Sequence, residues 1–386
     1  MATATYVAAT INGVVALMAM ALASLTTTQK ANSSMLHQNE AERFIDDRTD
    51  GTAETIPSDT WPVYLTLALS GMSALGAEVV WTRLLSLLMG GTVYTFSIIL
   101  AVFLVGLSLG SSMGSFFARS LQQPRWALGA CQLSLIGAIA WAALMITDSL
   151  PFWPINPALT NSLWFTFQLD VARTLWVVLP SSILWGATFP LALSTLVRRQ
   201  KDSGMLVGSA YAANTVGAIL GALLFSLIIV PQFGTQSAQR TLMGVAATAA
   251  LLMIVAPHAS TRTNGQSSAA SRFGMNRAFG CLAVVSVAFL LMRSVGPMPW
   301  GMAAYGRYIA TYGDRLAPAV VSEASVPSGG SHPDIYCTYV GEGLNGTIAV
   351  TKWTSGIKSF HSAGKVQAPM TPEIWVCNGC WDISRR

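Results

Sequence analysis

Long stretches without a charged residue constrain the fold of this chain more than any other feature. Residues 84–118 contain no Asp, Glu, Lys or Arg, and neither do residues 203–239. Shorter windows of the same kind cover 60–77, 126–147, 174–197, 241–261 and 278–292. A helix needs roughly 20 apolar residues to cross a bilayer, with charge kept away from its centre. Only 10% of the residues are charged, against roughly 25% in an ordinary soluble domain, which excludes a plain cytosolic enzyme and a disordered chain.

These windows predict a mainly α fold, a polytopic transmembrane bundle of seven or eight helices in residues 61–297 with a short C-terminal β-meander. The seven main helices are predicted at 61–82, 93–117, 126–146, 174–197, 207–230, 241–256 and 279–297. Arg293 interrupts the last of them. Residues 1–26 include another apolar run without the basic start of a secretory signal, so we expect an extra helix there. Residues 27–60 are polar and acidic and predict a solvated linker.

Positive charge is distributed unevenly between alternate loops, and this predicts the orientation of the chain. Eight basic residues follow the second, fourth and sixth helices: Arg119, Arg125, Arg198, Arg199, Lys201, Arg262, Arg272 and Arg277. The opposite loops hold two, Arg173 and Arg240. We therefore expect the first set of loops in the cytoplasm. If residues 279–297 cross fully, the C-terminal segment lies outside, whereas a re-entrant segment there reverses that conclusion.

Two groups of polar residues inside the apolar windows are candidates for a site. Glu78 and Arg83 lie in SALGAEVVWTRLLSLL, where Glu78 shares a helix face with Thr82. A carboxylate within a membrane span is a functional candidate by default, and a structural ion pair near the helix end is the alternative. Tyr211 and Asn214 form a second polar face, for which an interhelical hydrogen bond is the alternative. For transport or ligand binding, we predict that Glu78 and Asn214 carry the function.

Small residues and prolines mark the helices that should pack closely or bend. Glycine recurs every fourth residue in two helices, at Gly106, Gly110, Gly114, Gly217 and Gly221. Such spacing predicts close helix packing, with a substrate path as the alternative. Pro180 and Pro190 lie inside the fourth helix and predict kinks, because each removes a backbone hydrogen bond.

Six stretches of the chain resemble the membrane-embedded spermidine synthase-like family, in which a major-facilitator-like helical bundle precedes an aminopropyltransferase domain. They are LSGMSALGAEVVWTRLLSLLMGGTVYTFSIILAVFLVGLSLGS (69–111), WGATFPLAL (185–193), YAANTVGAILGALL (211–224), YGRYIATYGDR (305–315), YVGEGLNGTIAVTKW (339–353) and HSAGKVQA (361–368). The resemblance implies that residues 298–368 supply the N-terminal strands of that domain and that Gln367 lies beside its substrate. It implies a multi-pass protein of a bacterial inner membrane whose partners are the lipid bilayer and a polyamine or other small cation. It leaves the oligomeric state open, and scattered basic residues do not favour nucleic acid.

Residues 335–368 also have strand patterns of their own. Thr347–Trp353 alternates with a period of two residues, and a second short run, Ile357–Ser362, follows a Ser355-Gly356 turn. Ala363-Gly364 breaks that run before Lys365-Val366-Gln367. These patterns predict the β-meander without help from the resemblance.

The catalytic core that the resemblance implies has no counterpart in the sequence. The family binds decarboxylated S-adenosylmethionine with a glycine-rich loop, an acidic ribose ligand and a later catalytic Asp. Only 18 residues follow Ala368, whereas a βαβ unit needs about 30. We therefore predict no catalytic residue, no resident cofactor and an incomplete aminopropyltransferase. A transporter or ligand-binding module for a cationic, polyamine-like substrate is the alternative function.

The last segment, residues 369–386, departs from the family. Its Cys377 and Cys380 form a C-x-x-C, but His361 is the one nearby partner, so no metal site is predicted. Residues 374–385 match a one-base-shifted reading of codons for Asp-Met-Gly-Leu-Gln-Arg-Met-Leu-Gly-His-Ile-Ser-Arg, a peptide typical of the family. This match predicts a frameshifted tail, which resequencing of the locus would test.

Overall fold

The described part of the chain is a helical bundle with a small sheet at one end. The computed structural model describes residues 60–153, 162–197, 203–255, 267–322, 325–326 and 333–370. The long helices in these ranges are α1 (Trp61–Met89), α2 (Val93–Ser120), α3 (Pro124–Leu144), α4 (Leu163–Val197), α5 (Ser203–Leu224), α6 (Val230–Val255) and α7 (Ser267–Ser294). Two short helices, α8 (Trp300–Tyr305) and α9 (Ile309–Tyr312), lead into the sheet. The helix predicted in residues 1–26, most of the 27–60 linker and the tail from 371 onward lie outside the described residues.

Five helical runs among the described residues are long and apolar enough to cross a membrane. They are Trp61–Met89, Val93–Ser120, Pro124–Phe152, Trp164–Val197 and Gly204–Val255. The fifth joins α5 to α6 and is broken at Gly234, whose φ of 78° and ψ of 170° are not helical. The apolar part of α7, Ala278–Ser294, is shorter. The mainly α fold with a small C-terminal sheet is therefore confirmed, while the number of membrane crossings stays a prediction.

Successive long helices run in opposite directions. At the sheet end, Arg307 contacts the last residues of α1 and also Asp170, near the start of α4. At the far end, Arg125 at the start of α3 donates to the Met253 carbonyl near the end of α6. The helix ends that flank the predicted basic loops, Ser120, Val197 and Val255, therefore lie away from the sheet.

Close approach of helix backbones explains the glycine spacing. A methyl group added to Gly110 of α2 would collide with the backbone of Ile183 in α4, and one added to Gly217 of α5 would collide with the Ala68 carbonyl of α1. Gly114, Gly186 and Gly221 meet neighbouring backbone in the same way, and Gly106 meets the side chain of Ser182. The predicted packing seam is thus confirmed.

Helix α4 continues through both of its prolines. Pro180 has no N–H, so it cannot donate to the carbonyl of Trp176 one turn earlier. The indole Nε1 of Trp141 in α3 donates to that carbonyl instead, at 3.1 Å. A neighbouring helix therefore satisfies the freed acceptor, which is how proline is tolerated inside membrane helices.

The sheet contains β1 (Leu316–Val320), β2 (Ile335–Glu342), β3 (Thr347–Trp353), β4 (Lys358–Ser362) and β5 (Lys365–Met370), in that spatial order. Strands β2 to β5 form the predicted antiparallel meander, and β3 has the bounds that its alternation predicted. Ala363 and Gly364, with φ of 50° and 77°, form the two-residue turn between β4 and β5. Strand β1, which pairs in parallel with β2, was not predicted.

Candidate functional site at the junction of bundle and sheet

An open pocket of about 460 Å³ lies where the bundle meets the sheet. We call it the junction pocket, and it is lined by Leu75, Glu78, Val79, Thr82, Arg83, Ser86, Phe96, Ser226, Val230, Leu344, Asn345 and Gly346. The first six of these residues follow the spacing i, i+3, i+4, i+7, i+8 and i+11 along α1 and therefore share one face of that helix. The last three belong to the turn between β2 and β3, so bundle and sheet build the pocket together.

Glu78 supplies the negative charge of the junction pocket. It lies 11 residues before Met89, the last residue of α1, which is about 16 Å along the helix axis. Its side chain is half-buried, and no hydrogen bond or ion pair joins it to another residue in the described ranges. An ionised carboxylate removed from water is costly unless it is paired. Among the residues that the structure describes, Glu78 is a carboxylate without a partner, and it faces an open pocket.

Arg83 binds the β2–β3 turn rather than Glu78. Its Nη2 donates to the carbonyl oxygens of Gly343, at 2.6 Å, and Gly346, at 3.1 Å. The ion pair between Glu78 and Arg83 that the sequence offered as an alternative does not form. The guanidinium instead fastens the sheet to α1 at the rim of the pocket.

Glu342, at the end of β2, makes a second attachment between sheet and bundle. Its carboxylate accepts the backbone N–H of Thr235 at 2.9 Å and the Thr235 hydroxyl at 3.0 Å. Thr235 follows the break at Gly234, so the carboxylate accepts a free backbone N–H at the start of the restarted helix, where negative charge is favoured. The turn is thus held on both sides of the junction pocket.

A buried ionic cluster lies at the same end of the bundle. Asp170 of α4 is 1% exposed, and its Oδ2 lies 3.2 Å from the Arg307 Nη2. Arg173, 2% exposed, lies 3.8 Å from the other carboxylate oxygen. Arg307 also donates to the carbonyls of Leu88 and Met89 at the end of α1. The sequence analysis did not predict this cluster. Two opposite charges one helical turn apart in an apolar segment, Asp170 and Arg173, could have indicated it.

His361 of β4 fixes the sheet to α8. It is fully buried, with Nδ1 at 2.9 Å from the Ala304 carbonyl and Nε2 at 2.8 Å from the Thr351 hydroxyl. Nδ1 therefore carries the proton that it donates to the carbonyl, and Nε2 accepts from Thr351. Burial lowers the pKa of His361, and the bond to the Ala304 carbonyl opposes that shift. Burial also raises the pKa of Tyr305, whose ring contacts His361, to about 12.

The other predicted site residues lie elsewhere. Tyr211 is 57% exposed and its ring packs on Phe189 with 4.4 Å between centroids. Asn214 packs against Gly71 of α1, and neither it nor Tyr211 lines the junction pocket. Gln367 is exposed on the edge strand β5. The described residues contain no group of three His, Cys, Asp or Glu side chains suited to a metal, and Cys377 and Cys380 lie outside those residues.

Fold and site together define a class, a bundle whose described residues include five helical runs long and apolar enough to cross a membrane, with a small sheet fastened across one end. The chain is similar to "Polyamine aminopropyltransferase 1" of Ralstonia nicotianae, 24% identical over 188 residues, 49% of this chain and 33% of the relative. It is also similar to "Polyamine aminopropyltransferase" of Corynebacterium efficiens, 26% identical over 182 residues, 45% of this chain and 31% of the relative. "Polyamine aminopropyltransferase 1" of Streptomyces coelicolor is 24% identical over 218 residues, 55% of this chain and 38% of the relative.

These similarities are distant and partial. The chain matches about a third of the length of the curated relatives. No family model matches it, and no solved structure matches significantly. The comparisons therefore support a relationship to the polyamine aminopropyltransferases, as the sequence motifs implied.

Proposed function

We propose that this chain is the membrane-embedded bundle and the first sheet of an aminopropyltransferase-like protein. The observation that carries the proposal is the sheet fastened to α1 and α6 by Arg83 and Glu342. A bundle held in this way would keep an attached soluble domain at one membrane face. Gln367, exposed on the edge strand, would then lie where such a domain continues.

The outward surfaces of the bundle support its insertion in a bilayer. Large apolar side chains are exposed along α2, α5 and α7, among them Leu104, Leu109, Phe116, Ile219, Leu223, Phe279, Leu282 and Leu290. Such faces require lipid or another apolar cover. We count α5 and α6 as two separate membrane spans, because the chain reverses at the break at Gly234, and we count α7 as a further span. The bundle then has seven membrane spans, and successive spans run in opposite directions.

An activity assay tests the first proposal. In the described residues no glycine-rich loop leads from a strand of the sheet into a helix, so we propose that these 386 residues do not transfer an aminopropyl group by themselves. The purified chain, incubated with decarboxylated S-adenosylmethionine and putrescine, should release no methylthioadenosine. Clear turnover would contradict the proposal. Membrane insertion of the bundle is tested by an alkaline wash of membranes, and recovery of the chain from the soluble fraction would contradict it.

A second candidate function is a membrane module that binds or transports a small cation. The unpaired carboxylate of Glu78 in the junction pocket favours it. Uptake of labelled putrescine into proteoliposomes, compared between the natural chain and Glu78→Gln, tests this function. Uptake that falls to the level of empty vesicles in the variant supports transport, and equal uptake by both proteins rules out a role for Glu78 in it.

A further inference from the structure

The junction pocket combines one unpaired negative charge with an apolar lining. Leu75, Val79, Phe96, Val230 and Leu344 give it apolar walls, while Thr82, Ser86 and Ser226 add hydroxyl groups. Carboxylate and hydroxyl oxygens accept hydrogen bonds from an ammonium group, which has donors and no acceptor. The apolar walls suit a short hydrocarbon chain next to that charge.

The charges around the junction pocket indicate a ligand with a single positive charge. Glu78 and Arg83 are the two charged side chains that line the pocket. Arg83 is bound to the carbonyls of Gly343 and Gly346, so Glu78 is the one charged lining residue left to a ligand. One cation therefore completes the balance, whereas a second positive charge in the same pocket would face Arg83.

We infer that the junction pocket binds a primary alkylammonium ion of single charge, with its nitrogen on Glu78 and its hydrocarbon chain against the apolar walls. The inference deepens the second function proposed above and narrows its ligand from polyamines to monoamines. The same chemistry is present in a free alkylamine and in the headgroup of phosphatidylethanolamine, whose acyl chains would lie in the bilayer.

The turn between β2 and β3 takes part in this site. Asn345 and Gly346 line the junction pocket, and Arg83, which also lines it, donates to the carbonyl of Gly346. A ligand in the pocket would therefore contact bundle and sheet at once. We expect bound ligand to slow amide hydrogen exchange in the turn, residues 343–346, as well as in α1.

Equilibrium dialysis of the full chain in phosphatidylcholine nanodiscs tests the inference, with labelled n-butylammonium as the probe. Saturable binding is expected, with affinity reduced roughly tenfold or more in Glu78→Gln because a charge-assisted hydrogen bond is lost. Glu78→Asp should retain part of the affinity. Asp314→Asn, which removes an exposed carboxylate outside the pocket, should bind as the natural chain does.

Two further arms identify the source of the ammonium and separate this inference from the polyamine proposal. Nanodiscs containing phosphatidylethanolamine should weaken n-butylammonium binding if the lipid headgroup occupies the site, and leave it unchanged if the ligand is a free amine. Tighter binding of putrescine than of n-butylammonium would overturn the single-charge inference while leaving a polyamine function intact. Equal binding by the natural chain and Glu78→Gln, or no saturable binding in either lipid, would overturn the site itself.

Discussion

At the scale of single residues, arginine side chains in this protein bind backbone carbonyls at the ends of neighbouring elements. Helix ends leave carbonyl oxygens without partners, and cations are favoured there. Arg307 binds the end of α1, Arg125 binds α6 near its end, and Arg240 binds Met292 and Val295 at the end of α7. In the sequence, Arg125 and Arg240 counted only as loop charges for orientation, and Arg307 only as part of the YGRYIATYGDR stretch. Their carbonyl partners could not be inferred, because they lie 52 to 219 residues away along the chain. Glu78 could be identified as a candidate from the sequence, because a charged residue within an apolar segment is evident without knowledge of its contacts.

Arg307 should contribute to stability through Asp170. Replacement of Arg307 by Ala would leave the buried Asp170 carboxylate with only the longer contact to Arg173, so we expect a loss of about 2–3 kcal/mol in the free energy of unfolding. Denaturant unfolding in detergent measures it. Arg315→Ala, which removes an exposed arginine of the same segment, should change stability by less than about 0.5 kcal/mol. Equal losses in the two variants would mean that the Asp170 cluster contributes nothing specific.

His361 should make the attachment of the sheet sensitive to acid. Its pKa is lowered in the folded protein by burial, so the unfolded chain binds more protons as the pH falls through the ordinary histidine range near 6.5. Stability of the sheet is therefore present at neutral pH and decreases as the pH falls below that range. Amide hydrogen exchange in β3 and β4, normalised for its intrinsic pH dependence, should reveal more frequent opening at pH 5 than at pH 7.5. In His361→Gln the difference should largely disappear, and an unchanged difference would assign it to other groups.

At the scale of elements, the charge-free windows located every long helix that the structure describes, because an apolar stretch of about 20 residues is long enough to form a helix whatever its tertiary contacts. Their ends were less predictable. Helix α1 extends to Met89, beyond the predicted end at residue 82, since Glu78 and Arg83 find room in the junction pocket. A break between residues 230 and 241 was predicted, and the structure places it at Gly234. The sequence did not indicate its partner, because Glu342, which binds Thr235, comes from the sheet. Strand β1 was not predicted, because its parallel pairing with β2 is set by tertiary contacts.

The packing of α2 on α4 should depend on glycine at one specific position. In Gly110→Ala the new methyl group would meet the backbone of Ile183, and backbone cannot move aside as a flexible side chain can. We expect a loss of about 1–3 kcal/mol, measured by thermal or denaturant unfolding in detergent. Gly208→Ala is the matched control in α5, where nothing lies within 4 Å of the added atom, and it should be neutral or slightly stabilising because Ala favours helix. A neutral Gly110→Ala would mean that the seam is loosely packed.

At the scale of the whole molecule, the sheet and the described helix ends that flank the predicted basic loops lie at opposite ends of one bundle. Sequence alone supplied the charge bias and, by counting helices, an outside position for the C-terminal segment. The structure adds that α7 ends beside Arg240, near the start of α6 and on the sheet side. The alternation of helices and the charge bias therefore agree, and we propose that the junction pocket and the sheet lie on the outer side of the membrane.

Thiol labelling of two positions in intact cells tests this account most directly. In a variant whose native cysteines are replaced by Ser, single cysteines are introduced as Gln122→Cys, beside the basic loop between α2 and α3, and Asp314→Cys, beside the sheet; both positions are exposed. A membrane-impermeant maleimide should label Asp314→Cys in intact cells and Gln122→Cys only after permeabilisation. The reverse pattern would contradict the orientation, and identical labelling of both positions would contradict the claim that the bundle separates them across a bilayer.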